Sequence, residues 1–530
     1  VNLTPFVIVS MLLLNNVLTC TRRAIQACLH CDATIQALEY VERSKSRNLV
    51  ELLTTRNLLP RGNVPSAVLN RLEELRRKIG IEQRRLDLLD QRRSRTGMTS
   101  HRELFEPAEG WFSARTNLNQ LQQQLEALIQ QEIRAYDPMF SLTQQIESIA
   151  FEQIQQLLPN EQTALIEWYF TDEALLALLI LPHRAAPLVW RSSPENLKAL
   201  EQWGDDYLTA YTSHKQQWQQ DLSDRLHQLT EILHLNTLLS LLPEDCLQLI
   251  LIPHRFLHVL PLHALPCGDG SCLLERFPQR VRYAPSCQLL HLTQNRKKPF
   301  PFESLLAMQN PTEDLSYADL EVSAIRSTFP TAQVLARRAA TKTALLTHQD
   351  LIQADCAHFA CHGIFDLESP LESALILAQG QGDTSSPGDR LMLSEIFDLD
   401  LRRCGLVTLS ACETGLTDFT VLSDEYVGLP SGFLYAGTSC LVSSLWTVSD
   451  VSTAILMGRF YENLQSQMPV AVTLNQAQCW LRDATGNDLN QWIEGKQLLL
   501  SATLKLSLRR RFNQEQHPFQ SPYYWAAFLQ

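Results

Sequence analysis

Two stretches of the 530-residue chain carry an apolar run into a reactive side chain followed by small residues. They are Ala357-His358-Phe359-Ala360-Cys361-His362-Gly363 and Leu406-Val407-Thr408-Leu409-Ser410-Ala411-Cys412-Glu413-Thr414-Gly415. A free thiol titrates at about 8.5, so near neutrality a nucleophilic cysteine needs a neighbouring base or a positive field to supply thiolate. An imidazole titrating at about 6.5 can take that proton and later return it to a leaving amine. His362 and Cys412 are therefore read as a catalytic pair, with the histidine 50 residues ahead of the cysteine. No third, orienting carboxylate is assignable from the sequence.

Such a pair works only if the fold brings its members together. In open parallel sheets the reactive crevice lies just beyond the carboxyl ends of the strands, and adjacent strands sit about 4.8 Å apart. Strands are expected at Leu247–Ile252, Leu305–Met308, Gln333–Leu335, Ala357–Cys361, Ala374–Leu377, Leu406–Leu409 and Ser439–Leu445. Helices are expected at Leu320–Phe329, Lys342–His348, Leu393–Phe397, Glu425–Ala436 and Val451–Glu462. This alternation specifies a mostly parallel sheet covered on both faces. The run TALIEWYFTDEALLALLILP from Thr163 reads as two strands turning at Thr171-Asp172-Glu173, the opening of this α/β region.

Upstream the period is helical. Leu72, Leu75, Ile79, Leu86 and Leu89 recur in steps of three and four, as do Leu118, Leu121, Leu125, Leu128 and Ile133, with a breaker-rich link between them that suits an antiparallel hairpin. Another helix is expected over ALEYVERSKSRNLVELL. The domain expectation is a helical region over 1–156 and an α/β domain over 157–530, the latter divided into 157–300 and a catalytic portion 301–530.

The formal net charge of −12 disfavours a nucleic-acid partner, since phosphate recognition needs a positive surface. The charge is unevenly placed: residues 1–150 carry a net charge near +3 and the remainder near −15. Thirteen cysteines without a repeated spacing read as reduced thiols of a cytoplasmic protein. The apolar stretch Pro5 to Val17 lacks a Lys/Arg-rich start and is shorter than the roughly 20 residues a span requires, so it is read as buried helix and no membrane partner is expected.

From about Thr163 onward the chain resembles the CHAT domain, the caspase-like family associated with tetratricopeptide repeats and common in cyanobacteria and other bacteria. The resemblance rests on PHRFLHVLPLHAL at 253–265, RVRYAPS at 280–286, HFACHG at 358–363, LSACETG at 409–415, DEYVGLPSGFLYAG at 424–437, VSSLW at 442–446 and PYYWAAF at 522–528. A caspase-type peptidase places its histidine about 50 residues before its cysteine, although the Gln-Ala-Cys signature of caspases proper is not met here. The implied fold is α/β, with an N-terminal all-helical region (a tetratricopeptide-like remnant plus the helical hairpin) followed by a caspase-like domain around a mostly parallel central sheet. The implied function is a cysteine endopeptidase without cofactor or metal, acting on a protein substrate and controlled by a protein partner through the N-terminal helices. A silent scaffold or signalling adaptor is the alternative.

The resemblance also points to the backbone N–H groups of Gly363 and Cys412 as the oxyanion hole. Separases carry a Trp-Asp-x-x-Asp run that reads arginine, and Trp446-Thr447-Val448-Ser449-Asp450 keeps its second acid. Asp450 would then accept a Lys or Arg of the substrate. The competing reading is a helix cap at Ser449 or Asp450. His358 is read as a hydrogen-bonded core residue, Cys361 as a small core residue, and Asp424 and Glu425 as the charged first turn of a helix. Glu413 is expected to point away from the thiol, and Cys28-Leu29-His30-Cys31 to be structural helix. His254, His258 and His263 cluster without ligand spacing, in the core or a substrate groove. A zinc site from His358, Cys361, His362 and Cys412 is the least favoured alternative.

Overall fold

The computed structural model describes residues 21–54, 60, 64–95, 113, 117–118, 120–121, 123–125, 127–136, 149–294, 296, 300–347, 349–366, 370–379, 389–410, 428–496 and 502–530. The expected helix at Pro5 to Val17 lies outside these residues, as do Cys412, Glu413, Asp424 and Glu425. The chain divides into two compact units, Val1–Thr21 with Arg43–Ser148, and Arg22–Glu42 with Ile149–Gln530.

In the first unit a long helix, Ser66–Arg95, meets the helical residues near 117–133. Leu72 and Leu75 near the start of the first helix pack with Leu128, Ile129 and Ile133 near the end of the second, and Arg71 pairs with Glu132 at 2.8 Å. Start against end is the arrangement of an antiparallel hairpin, and the two leucine stripes supply its seam.

The second unit holds two sheets. The first contains β1 (Thr163–Phe170), β2 (Leu175–Ile180), β3 (Leu188–Arg191), β4 (Gln248–Ile252) and β5 (Arg280–Tyr283), in the order β3-β2-β1-β4-β5. Strands β1 and β2 form the expected antiparallel hairpin, with Phe170 opposite Leu175. Its turn is closed by the Thr171 N–H donating to the Ala174 carbonyl at 2.9 Å, while Thr171 Oγ1 accepts the Ala174 N–H at 3.0 Å. One face of this sheet is covered by Ile25, Ala37, Leu38 and Val41 from the helices at residues 21–30 and Thr34–Thr54. Cys28 lies within the helix over 21–30, and Cys31 in the turn that follows it.

The second sheet contains β6 (Ser304–Gln309), β7 (Thr331–Ala336), β8 (Cys356–Ala360), β12 (Leu406–Leu409), β13 (Cys440–Ser444) and β14 (Phe528–Leu529), in the order β14-β13-β12-β8-β6-β7. All its pairings are parallel except that of β13 with β14. A small antiparallel sheet of β9 (His362–Ile364), β10 (Ala374–Ile376) and β11 (Arg390–Met392) grows from the end of β8. Strands buried on both faces need unbroken apolar runs, and Leu406, Val407 and Leu409 are fully buried. Each such side chain contributes about 1.5–3 kcal/mol on leaving water. The helices Ala318–Arg326, Asp450–Leu464 and Val470–Asp483 pack in series against one another. The expected fold class, N-terminal helices followed by an α/β domain with a mostly parallel sheet, is the one observed.

Candidate active site

Three neighbouring strands deliver the site. In β8 and β12, Leu406 lies level with Cys356 and Leu409 with Phe359, a constant offset of 50 residues. His362 follows Phe359 by three residues, and Cys412 follows Leu409 by three. On the other side of β8 runs β6, whose Gln309 pairs with Ala360. Beyond Gln309 the chain turns at Asn310, which adopts a left-handed φ of 46° that asparagine tolerates. The Asn310 N–H donates to the Ala360 carbonyl at 2.8 Å. Its side chain then holds the loop at both ends of Leu315: Oδ1 accepts the Leu315 N–H at 3.0 Å and Nδ2 donates to the Leu315 carbonyl at 3.1 Å.

That loop presents Asp314 to His362. Nε2 of His362 lies 2.9 Å from Oδ1 and 3.1 Å from Oδ2 of Asp314. An ionised carboxylate only accepts hydrogen bonds, so Nε2 must carry the proton, which leaves Nδ1 of the neutral ring as the basic nitrogen. The Thr312 hydroxyl and then His362 hold the Asp314 carboxyl below the usual aspartate range. The His362 side chain is 37% exposed, open enough to meet a substrate. Asp314 is the site residue that motif reading missed. Its trace in the sequence is the polar Asn310-Pro311-Thr312-Glu313-Asp314 placed directly after the apolar strand Leu305–Met308.

Below this pair the site rests on a buried polar layer. His358 is fully buried in β8, as expected of a core histidine, and Cys361 is equally sealed. Nε2 of His358 stands 3.1 Å from Glu321, an ion-pair distance without the alignment of a hydrogen bond. The Tyr461 hydroxyl donates to Thr408 Oγ1 at 2.8 Å and lies 3.4 Å from Nδ1 of His358.

Asp450 opens the helix Asp450–Leu464. Ser449 occupies its N-cap position, as the competing reading expects, but makes no side-chain cap bond there. Partial shielding from solvent, reinforced by Glu321 and Asp314 and opposed by His362, raises the Asp450 carboxyl above the usual range. Asp450 therefore lies within electrostatic reach of the His362–Asp314 pair. The segment leading to it is clamped: the Thr447 N–H donates to the Tyr211 hydroxyl at 3.1 Å, and the Tyr523 hydroxyl donates to the Thr447 carbonyl at 3.0 Å. Trp446 Nε1 donates to the Tyr523 carbonyl at 3.1 Å. Gly363 lies in β9 opposite Leu375.

Among the described residues, one group places three potential ligand atoms within 4.8 Å of one another: Glu42, Glu167 and Cys287. There Glu42 accepts the N–H groups of Cys287 and Gln288 at 2.9 and 3.0 Å, and the Cys287 thiol donates to Glu167 at 3.6 Å. The two N–H bonds make Glu42 a cap for the helix Cys287–Gln294. His254, His258 and His263 are all buried in the first sheet's surroundings. No helix among the described residues is long and apolar enough to cross a membrane.

A family model described as the CHAT domain matches residues 220–530, more than half of the chain. The chain belongs to the CHAT domain family. No curated protein matches it. Among solved structures it is similar to the Saccharomyces cerevisiae separase–securin complex, at 12% identity and a TM-score of 0.44, covering 87% of this chain and 39% of that one. It is also similar to a complex of the Porphyromonas gingivalis RgpB pro- and mature domains, at 9% identity and a TM-score of 0.30, covering 53% of this chain and 63% of that one. The Arg-specific cysteine proteinase gingipain R matches at 8% identity and a TM-score of 0.31, over 54% of this chain and 63% of that one. This CHAT chain thus spans about two fifths of the separase chain's length and under two thirds of the gingipain chains'.

Proposed function

We propose that this CHAT protein is a cysteine endopeptidase in which Cys412 is the nucleophile and His362 the general base and acid. The observation that carries the reading is the Asp314 carboxylate on Nε2 of His362, at the end of a strand whose parallel neighbour leads to Cys412 with the same offset of 50 residues. Nδ1 of His362 takes the thiol proton as sulfur attacks the scissile carbonyl. The tetrahedral oxyanion is held by the backbone N–H groups of Gly363 and Cys412. Collapse expels the amine, protonated by the imidazolium, and leaves an acyl-cysteine. Water, deprotonated by the same imidazole, then releases the acid and restores the thiol. Asp314 is a positioning residue here, holding one tautomer and favouring the imidazolium formed in each step.

Asp450 receives a Lys or Arg side chain before the cut. The shielding of its carboxyl and the acidic company of Glu321 and Asp314 support a cationic occupant, whose charge would relieve the crowding of like charges. Residues 157–530 act as the CHAT domain, with 301–530 supplying the chemistry. The helices of 1–156 serve as the contact for a regulatory protein, and their net positive charge suits an acidic partner surface.

The test is cleavage of a peptide library by the wild-type chain and by Cys412→Ala and His362→Ala. Cleavage after basic residues that both substitutions abolish is the expected result. Activity surviving both would refute the pair, and a preference for acidic residues would remove Asp450 from the pocket. A wild-type Cys412 that labels with thiol-directed electrophiles no faster than a free thiol would favour an adaptor.

A further inference from the structure

Far from His362, a small cavity of about 50 Å³, widening to about 580 Å³ when its solvent-open mouth is counted, lies where the two large sheets approach each other. The sheets are joined there by the Tyr283 N–H donating to the Gln530 carbonyl at 2.9 Å. Apolar walls come from Leu289, Leu290, Leu434 and Leu529, on the helix Cys287–Gln294, the helix Leu429–Ala436 and β14. Set into these walls are two polar groups with no partner, Nε of Arg282 and Oγ of Ser439, each buried.

Arg282 is the unusual feature. Burial lowers its guanidinium to about 10, and neighbouring Arg280, two residues along the same face of β5, is lowered by burial as well. Neither pairs with a carboxylate among the described residues, although a desolvated cation without a counter-charge is costly. A cavity with largely apolar walls, the unpartnered Ser439 hydroxyl among its few polar groups and a guanidinium facing no carboxylate partner has the complement of a small anion with an apolar tail.

We infer that this cavity is a binding site for a monoanionic amphiphile, a carboxylate on a short aliphatic chain, with Arg282 and Ser439 holding the carboxylate and the leucines covering the tail. A carboxylate accepts from the planar guanidinium and from the hydroxyl together, which satisfies both orphaned groups. Inorganic phosphate fits less well, because a dianion would lose its hydration against mostly aliphatic walls. The site is independent of the proposed peptidase chemistry.

Isothermal titration of the full chain with decanoate, decanol and inorganic phosphate tests it, alongside thermal melting. Decanoate is expected to bind saturably with one-to-one stoichiometry and to raise the melting temperature, while decanol and phosphate do neither. Arg282→Met should weaken decanoate at least tenfold and Ser439→Ala about threefold. Leu434→Trp, which fills the cavity while leaving both polar groups, should abolish binding and keeps the test decisive if Arg282→Met does not fold. Absence of saturable decanoate binding to the wild-type chain overturns the proposal. So does an affinity unchanged in Leu434→Trp and Ser439→Ala, or phosphate binding as tight as that of decanoate.

Discussion

The two large sheets end a central parallel strand in the same way, with a histidine shortly after the last residue, and then treat that histidine in opposite fashion. After β4, His254 is fully buried; its Nδ1 accepts the Phe170 N–H at 3.0 Å and its ring stacks on Tyr169 at 4.4 Å. After β8, His362 is partly open and its Nε2 is bound to a carboxylate. One ring ties strands together, and the other is presented to solvent with its proton fixed. A strand tip provides a position; the neighbouring loop decides whether that position is structural or chemical. In the first sheet the neighbour is the end of β1, and in the second it is the Asn310–Leu315 loop.

The sharpest way to break this contrast is to remove each ring. His362→Ala should lower kcat/KM by about a thousandfold with little change in melting temperature. His254→Ala should cost at least about 2 kcal/mol in urea unfolding, because it strands a buried N–H and opens a cavity, while the folded fraction cleaves normally. Loss of activity in His254→Ala at full stability would void the distinction.

Next in size is Asp314→Asn, expected to reduce kcat roughly tenfold to a hundredfold with KM nearly unchanged. Its signature is partial rescue by Asp314→Glu, which keeps a carboxylate for Nε2 of His362, with the melting temperature unchanged in both variants. Equal losses in Asp314→Glu and Asp314→Asn would mean that Asp314 only braces the loop.

Asp450→Asn should cut the preference for Lys and Arg about tenfold while leaving cleavage of neutral sites unchanged. Because the carboxyl is raised, the wild-type preference should fade on acidification at a pH above the ordinary aspartate range. The last effect concerns stability and emerges only on acidification. Burial lowers His263 to about 3, so the folded chain keeps this ring neutral while the unfolded chain binds a proton below about 6.5. Its contribution is intact above about 6.5 and is lost as pH falls toward 3, at up to about 1.4 kcal/mol per pH unit. His263→Gln should flatten that slope in unfolding measured between pH 6 and pH 4.

Much of this was legible in the residues. The second sheet's strands could be read because parallel strands buried on both faces admit few polar residues, and the β1–β2 hairpin because Thr171 closes its turn. His358 was recognisable as core from its place inside the strand. Asp314 was not, since one acid in a polar loop has no periodicity and acquires meaning only when Asn310 folds that loop back on β8. Ser449 could be placed at a helix start, yet its missing cap bond depends on side-chain direction. The covering of the first sheet by Ile25, Ala37, Leu38 and Val41 depends on chain-distant packing that no local pattern announces.

The offset between β8 and β12 is written in amide hydrogen bonds rather than in side chains. Swapping one aliphatic residue for another within Cys356–Ala360 or Leu406–Leu409 should therefore soften the sheet long before it shifts the two strand ends past each other. Heat tolerance and catalytic alignment can drift separately in such a molecule, and variants selected for one need not sacrifice the other.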